Sequence, residues 1–286
     1  MAPLDSSKVC GPAAAASDTG LSTPAGAPAA TVAADSGAGL PVAGEVPEPE
    51  APPLPRPFGV GESLKFSIQY GPIKAGTAVL SIEGVEQVGD RECLRLVSTA
   101  QSHALFSPFY KVRDKIVSLV DVQHLLTRRT RKALSEKDYR LEQTIEWDQE
   151  QGKLTYHDGT VLDVVPGERD VLGAFYYVRT LPLEVGASIP VPAHDNKKSY
   201  SLIIQVVGEE TIDTPLGRFE CLVLEPKLQS EGLFRRSGSL KVWITRDQER
   251  LPVMMQSSVK VGAITAILIE MRRGNRNEPT FGLNVN

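Results

Sequence analysis

Nucleophilic catalysis needs a Ser or Cys beside a base, and a metal centre needs several ligands at fixed spacing. The chain supplies neither as a local motif. Its four histidines (His103, His124, His157 and His194) are scattered, with no His-x-His, no His-Glu-x-x-His and no Cys-x-x-Cys. There is no Gly-x-Ser-x-Gly elbow, and Ser237-Gly238-Ser239 reads as a hairpin turn. Gly59-Val60-Gly61 precedes a strand-like run rather than a helix, so it does not cradle a phosphate. These absences predict a protein with no catalytic residues, no metal and no cofactor. Carboxylates brought together from distant strands are the route to catalysis that spacing does not test.

What polar chemistry there is clusters around aromatic residues. Asp170 and Arg179 flank an aromatic segment, and Trp243 lies four residues before Asp247. Read as function, Asp170 and Arg179 rim a pocket lined by Phe66, Tyr70, Phe175, Tyr176 and Trp243. Read as structure, Asp170 caps a helix, Arg179 is a cation favoured at its last turn, and the aromatic residues are core.

Three cysteines are too few for a disulfide framework. Cys93 and Cys221 occupy equivalent places in a repeat. A pseudo-twofold arrangement could pair them in an oxidising compartment. The plainer alternative is two small buried hydrophobes.

The elements that position these residues are strands. Gly89-Asp90-Arg91-Glu92-Cys93-Leu94-Arg95-Leu96 recurs as Gly217-Arg218-Phe219-Glu220-Cys221-Leu222-Val223-Leu224, both Gly-x-x-Glu-Cys-Leu-x-Leu. In both copies a Phe follows the Cys by 13 residues (Phe106, Phe234), and an Asp precedes a Leu by four (Asp121 and Leu125, Asp247 and Leu251). Leu64–Tyr70 alternates with period two, and Gly76 in the next run marks a bulge or a close backbone approach. One segment breaks the rhythm. Val171, Leu172, Phe175, Tyr176 and Arg179 fall at helical spacing, opened by Asp170 and stopped by Pro182. The pattern predicts a mainly β domain built from two related meanders. Its large antiparallel sheet is strongly curved, an incomplete β-barrel around one aromatic helix.

Composition sets the limits. Residues 1–57 hold 14 Ala and 11 of the 21 Pro and no aromatic residue, which reads as a disordered tail or linker. Folding is expected over 58–274, with a polar tail at 275–286. Up to Arg56 there are six acids and two bases, so the remaining 29 bases and 29 acids cancel. A neutral domain lacks the field that draws proteins to nucleic acid. The basic run Arg128-Arg129-Thr130-Arg131-Lys132 lies in a strand-like segment, should point both ways from the sheet, and reads as a solvated strand edge, with a polyanion contact as the alternative.

No run is long and apolar enough to span a bilayer. Met1-Ala2-Pro3-Leu4-Asp5 lacks a basic n-region, and no h-region follows. That fits a cytoplasmic protein, or a start assigned downstream of the true one. Cys10 is a poor lipidation site, because Lys8 stands where small or apolar residues are needed.

Several motifs, in order, resemble the bacterial domain of unknown function 3108 family. They are Gly61-Glu62-x-Leu64 with Tyr70 and Ala75-Gly76, Arg169-Asp170 with Tyr177-x-Arg179-x-Leu181-Pro182-Leu183, Thr214-Pro215-x-Gly217-x-Phe219-x-Cys221, and Trp243-x-Thr245-x-Asp247 with Pro252-Val253. The likeness runs from Phe58 to Met271. It implies an exported or envelope-associated β-rich protein of Gram-negative bacteria, in the periplasm or cell envelope, and it implies no catalytic residues. The expectation is a non-enzymatic module that binds a lipid, another apolar or amphipathic ligand, or an envelope protein. A scaffold with no small-molecule ligand is the alternative.

Overall fold

A computed structural model describes residues 56–104, 106–107, 110–228, 239–258 and 262–275. The expected tails, apart from Arg56, Pro57 and Asn275, lie outside these residues, as do Phe234, Ser237 and Gly238 of the expected hairpin turn.

Among the described residues, fifteen strands form a single sheet. The first meander holds β1 (Ser63–Tyr70), β2 (Ile73–Val88), β3 (Arg91–Ser102), β4 (Arg113–Asp121) and β5 (Thr127–Glu136). It continues through β6 (Tyr139–Asp148), β7 (Lys153–Tyr156) and β8 (Val161–Asp163). The two-residue β9 (Arg169–Asp170) leads directly into α1 (Val171–Val178). The second meander holds β10 (Ser188–Asp195), β11 (Lys198–Thr214), β12 (Gly217–Leu228), β13 (Leu240–Thr245), β14 (Pro252–Ser258) and β15 (Ala263–Arg272).

Sequence neighbours pair antiparallel throughout each meander, and β1 pairs with β15 to join the two. The short strands β8 and β9 are the free ends of the order. The expected mainly β architecture, with one helix and a large curved sheet that does not close, is what forms. A twisted sheet of this size cannot remain flat. Its edges are blunted: Pro190 and Pro192, which lack an N–H, occupy the stretch of β10 that β9 does not cover.

The repeat is structural as well as sequential. The ladder between β2 and β3 shifts register between Ile82 and Gly84, opposite Leu96 and Arg95. The ladder between β11 and β12 shifts between Val206 and Gly208, opposite Leu224 and Val223. Leu96 and Leu224 are the last residues of the two motif copies, so the bulge falls at the same repeat position. Each Cys faces a Glu across the ladder, Glu86 for Cys93 and Glu210 for Cys221.

Period-two alternation sends Leu64, Phe66, Leu80, Ile82, Leu94 and Leu96 to the inner face, where they pack with Leu172, Ala174 and Tyr176 of α1. Each fully buried Leu, Ile or Phe contributes about 1.5–3 kcal/mol to stability. Both expectations for Gly76 are met. A bulge precedes it opposite Ile68 and Gln69, and a Cβ at Gly76 would lie 2.3 Å from the carbonyl oxygen of Gln101.

The basic run departs from its expected place. β5 lies between β4 and β6, inside the sheet rather than at its edge, so alternate residues face the interior. Arg128 is buried against Asp121 (3.4 Å) and Glu150 (2.6 Å), and buried Lys132 pairs with Asp195. Arg131 remains exposed, and Arg129 reaches Glu146 at 2.6 Å.

Candidate functional site

A buried polar cluster forms where the two ends of the sheet approach each other. β10 carries His194 and Asp195 and pairs with β9 only at Ala193 and His194. β7 supplies Tyr156, β6 supplies Trp147, β5 supplies Lys132, and Glu168 immediately precedes β9. No ladder of backbone hydrogen bonds crosses here, because β8 and β9 end the strand order.

His194 Nε2 lies 2.8 Å from Tyr156 Oη, and that oxygen also accepts the N–H of Lys197 at 2.8 Å. Both contacts meet on the one phenol oxygen, which joins the imidazole to the β10–β11 turn. Nδ1 faces Glu168 Oε1 at 3.6 Å and Ser199 Oγ at 3.4 Å. Trp147 meets the imidazole edge-on, 5.6 Å between centroids.

Burial pushes the Tyr156 phenol up to about 12, so it stays a neutral donor. Burial alone would raise the Glu168 carboxyl. The nearby His194 and Ser199 side chains and the hydrogen bond from the Val165 N–H nevertheless hold it below the ordinary carboxylate value. A carboxylate, an imidazole and a hydroxyl in a chain are the parts of a nucleophilic relay. Here the Glu168, His194 and Tyr156 side chains are 2% exposed or less, so the closed structure shuts the oxygen off from solvent. What the chain of contacts can do is fasten the two sheet ends.

An open recess lies on the outer face. Lys65, Ser67 and Gln69 alternate with the inward Leu64, Phe66 and Ile68, and with Ile267 and Ile269 of β15 they border a groove of about 490 Å³. Lys74 of β2 and Asp213–Pro215 of the β11–β12 turn form the rest of its rim, with His103. Lys65 pairs with Glu270 at 2.6 Å and Asp213 with Arg218 at 3.0 Å.

The residues expected to line a pocket lie elsewhere. Phe66, Tyr176 and Arg179 are 1% exposed or less and lie in the packed core. Arg179 is neither a pocket rim nor a solvated last-turn cation. Its guanidinium turns inward, donates to both oxygens of Glu62 at 2.7 and 2.9 Å, and lies 4.9 Å from the Phe58 ring centre.

Asp170 is the helix N-cap, accepting the Gly173 N–H at 2.9 Å, the Thr127 hydroxyl at 3.0 Å and the Ser118 hydroxyl. Trp243 packs on the outer face with Cys221, Val223 and Val253, and its indole N–H donates to Glu210 at 2.9 Å. Phe175 and Tyr70 are half-buried. None of the seven borders the groove.

The disulfide alternative is corrected too. Cys93 and Cys221 are free thiols in separate outer-face clusters, one with Val97, Val117 and Leu119, the other with Val223 and Trp243. Equivalence in the repeat places them alike within their halves and keeps them apart.

Sequence reasoning missed Glu168, His194, Tyr156 and Lys132 as a group. They come from four separate segments of the chain, with Tyr156 and His194 38 residues apart, and no local motif joins them. One signal was available: His194-Asp195 ends a strand carrying two prolines, which marks one side of that strand as largely unpaired. Among the described residues, no three His, Cys, Asp or Glu side chains gather to hold a metal. No described helix is long and apolar enough to cross a membrane.

No curated protein matches the chain. A solved β-barrel-like protein from Brucella abortus, of domain of unknown function DUF1849, is similar at TM-score 0.51 and 7% identity, over 76% of this chain and 99% of that one. That likeness is one of fold. A protein from Bacteroides fragilis, described as exported and of YmcC-like fold, aligns over 77% of this chain and 100% of its own, at 11% identity and TM-score 0.36. The model of the DUF3108 family, proteins of unknown function, matches residues 65–269, from β1 to β15, and the chain belongs to that family.

Proposed function

We propose that this domain is a non-enzymatic binding module of the bacterial envelope that takes an amphipathic, acyl-type ligand on its outer groove. The observation that carries this reading is a contrast in access. The relay of Glu168, His194 and Tyr156 is sealed, whereas the open recess has Ile267 and Ile269 at its border and Lys65 and Lys74 on its rim. Isoleucine takes up apolar chain, and a lysine beside it favours an anionic end. The envelope setting follows from the family resemblance set out above.

Native mass spectrometry of the protein purified gently from its own host tests this, followed by titration with dodecanoate. A co-purifying lipid-sized mass, and dodecanoate binding weakened roughly tenfold or more by Ile267→Asp, are expected. A ligand-free chain that also ignores dodecanoate would move the weight to the scaffold reading.

A further inference from the structure

The sealed cluster does more than fill space, because of what it joins. β6–β8 carries an apolar cluster of its own, Ile145, Trp147, Leu154, Tyr156 and Val164, separate from the main core. On one side this meander is held by a continuous backbone ladder to β5. On the other it meets β10 and the β10–β11 turn through side chains. Tyr156 reaches His194 and the Lys197 N–H, Asp158 reaches Lys197 Nζ at 2.6 Å, and Thr160 reaches the same ammonium at 3.0 Å.

A seam of this kind differs from a ladder in how it parts. Backbone pairing fails only when a strand unfolds, whereas a side-chain seam can separate while every strand on both sides stays paired. We propose that β6–β8 is a flap, that Tyr156, His194 and Lys197 are its latch, and that the flap opens as a unit before the rest of the sheet. Opening leaves the β5–β6 ladder intact and relaxes the curl of the sheet, and the short β7–β8 pairing and the β10–β11 turn, no longer held against each other, fray with it. It uncovers the faces of Trp147 and Leu154 that the closed structure buries. The device stands apart from the outer groove and does not depend on a ligand there.

Hydrogen exchange of the whole chain, read by mass spectrometry at neutral pH, tests it. The expected result is that residues 153–163 and 195–201 exchange together, and faster than β2, β3 and β12. Tyr156→Phe keeps the ring and loses the latch oxygen. It should speed exchange in those two segments roughly tenfold or more while leaving β12–β15 unchanged. Asp158→Asn, at a surface position that does not threaten folding, should act in the same direction more weakly. If both segments exchange only at the rate of β2 and β3, or if Tyr156→Phe accelerates all strands alike, the seam is ordinary core and the proposal fails.

Discussion

Arg179 and Glu62 lie 117 residues apart and meet as a two-pronged ion pair in the core, with neither side chain more than 3% exposed. The guanidinium also donates to the carbonyl of Arg250 at 3.0 Å, so one side chain ties the end of α1 to the entrance of β1 and the β13–β14 turn. Arg179→Met strands a buried carboxylate and should lower stability by about 3–5 kcal/mol. Pairing it with Glu62→Leu removes the stranded charge and should restore most of that loss. Urea denaturation of the two single variants and the double settles the matter. A double variant as weak as the worse single would mean that the ion pair is not the source.

Gly173 opposes two rules. Alanine is the better helix former by about 1 kcal/mol. A Cβ at this position, however, would lie 2.8 Å from the Asp170 carboxylate, 2.9 Å from the Thr127 hydroxyl and 3.2 Å from Val120. Those contacts are the cap that starts the helix. Overpacking costs about 1–3 kcal/mol and loss of the cap about 1, so against the gain of about 1 from alanine Gly173→Ala should destabilise by about 1–3 kcal/mol net. A raised melting temperature would show that the helix can slide outward at little cost.

Burial pushes the Cys93 and Cys221 thiols up to about 12, with Asp121 adding to the effect at Cys93 and Asp247 at Cys221. A raised thiol value means the neutral form is the one that the fold favours. The stabilisation is present below the unfolded value and is lost as pH climbs toward 12. In native protein at pH 8, iodoacetamide should therefore leave both residues unmodified, and both should react within minutes in urea. Rapid native labelling of either would mean that its outer-face cluster opens locally.

The sequence was most informative where period and punctuation coincide. The duplicated Gly-x-x-Glu-Cys-Leu-x-Leu motif led to paired meanders, and the structure adds a bulge at the same place in each. Asp170 was readable as a cap because capping is local. Arg179 and Lys132 were not readable, because their partners come from remote strands and a charged residue at a strand or helix end looks solvated in one dimension. The same holds for His194, whose role depends on curvature that brings β7 to β10. The groove was invisible for a further reason. It needs the β11–β12 turn to lie beside β1, a relationship that no spacing within either segment encodes.

The pairing of β1 with β15 carries a consequence for biosynthesis. Within each meander, antiparallel partners are neighbours in sequence and can zip as soon as they leave the ribosome. Ser63–Tyr70 can dock on β2 early, but its other edge waits for Ala263–Arg272, close to the last described residues. Until then the nascent chain carries an unpatched strand on its first half, with Phe66 facing inward and no second half to shield it. The sheet therefore cannot fold fully until β15 has been made, and whatever meets the chain before then meets an open sheet.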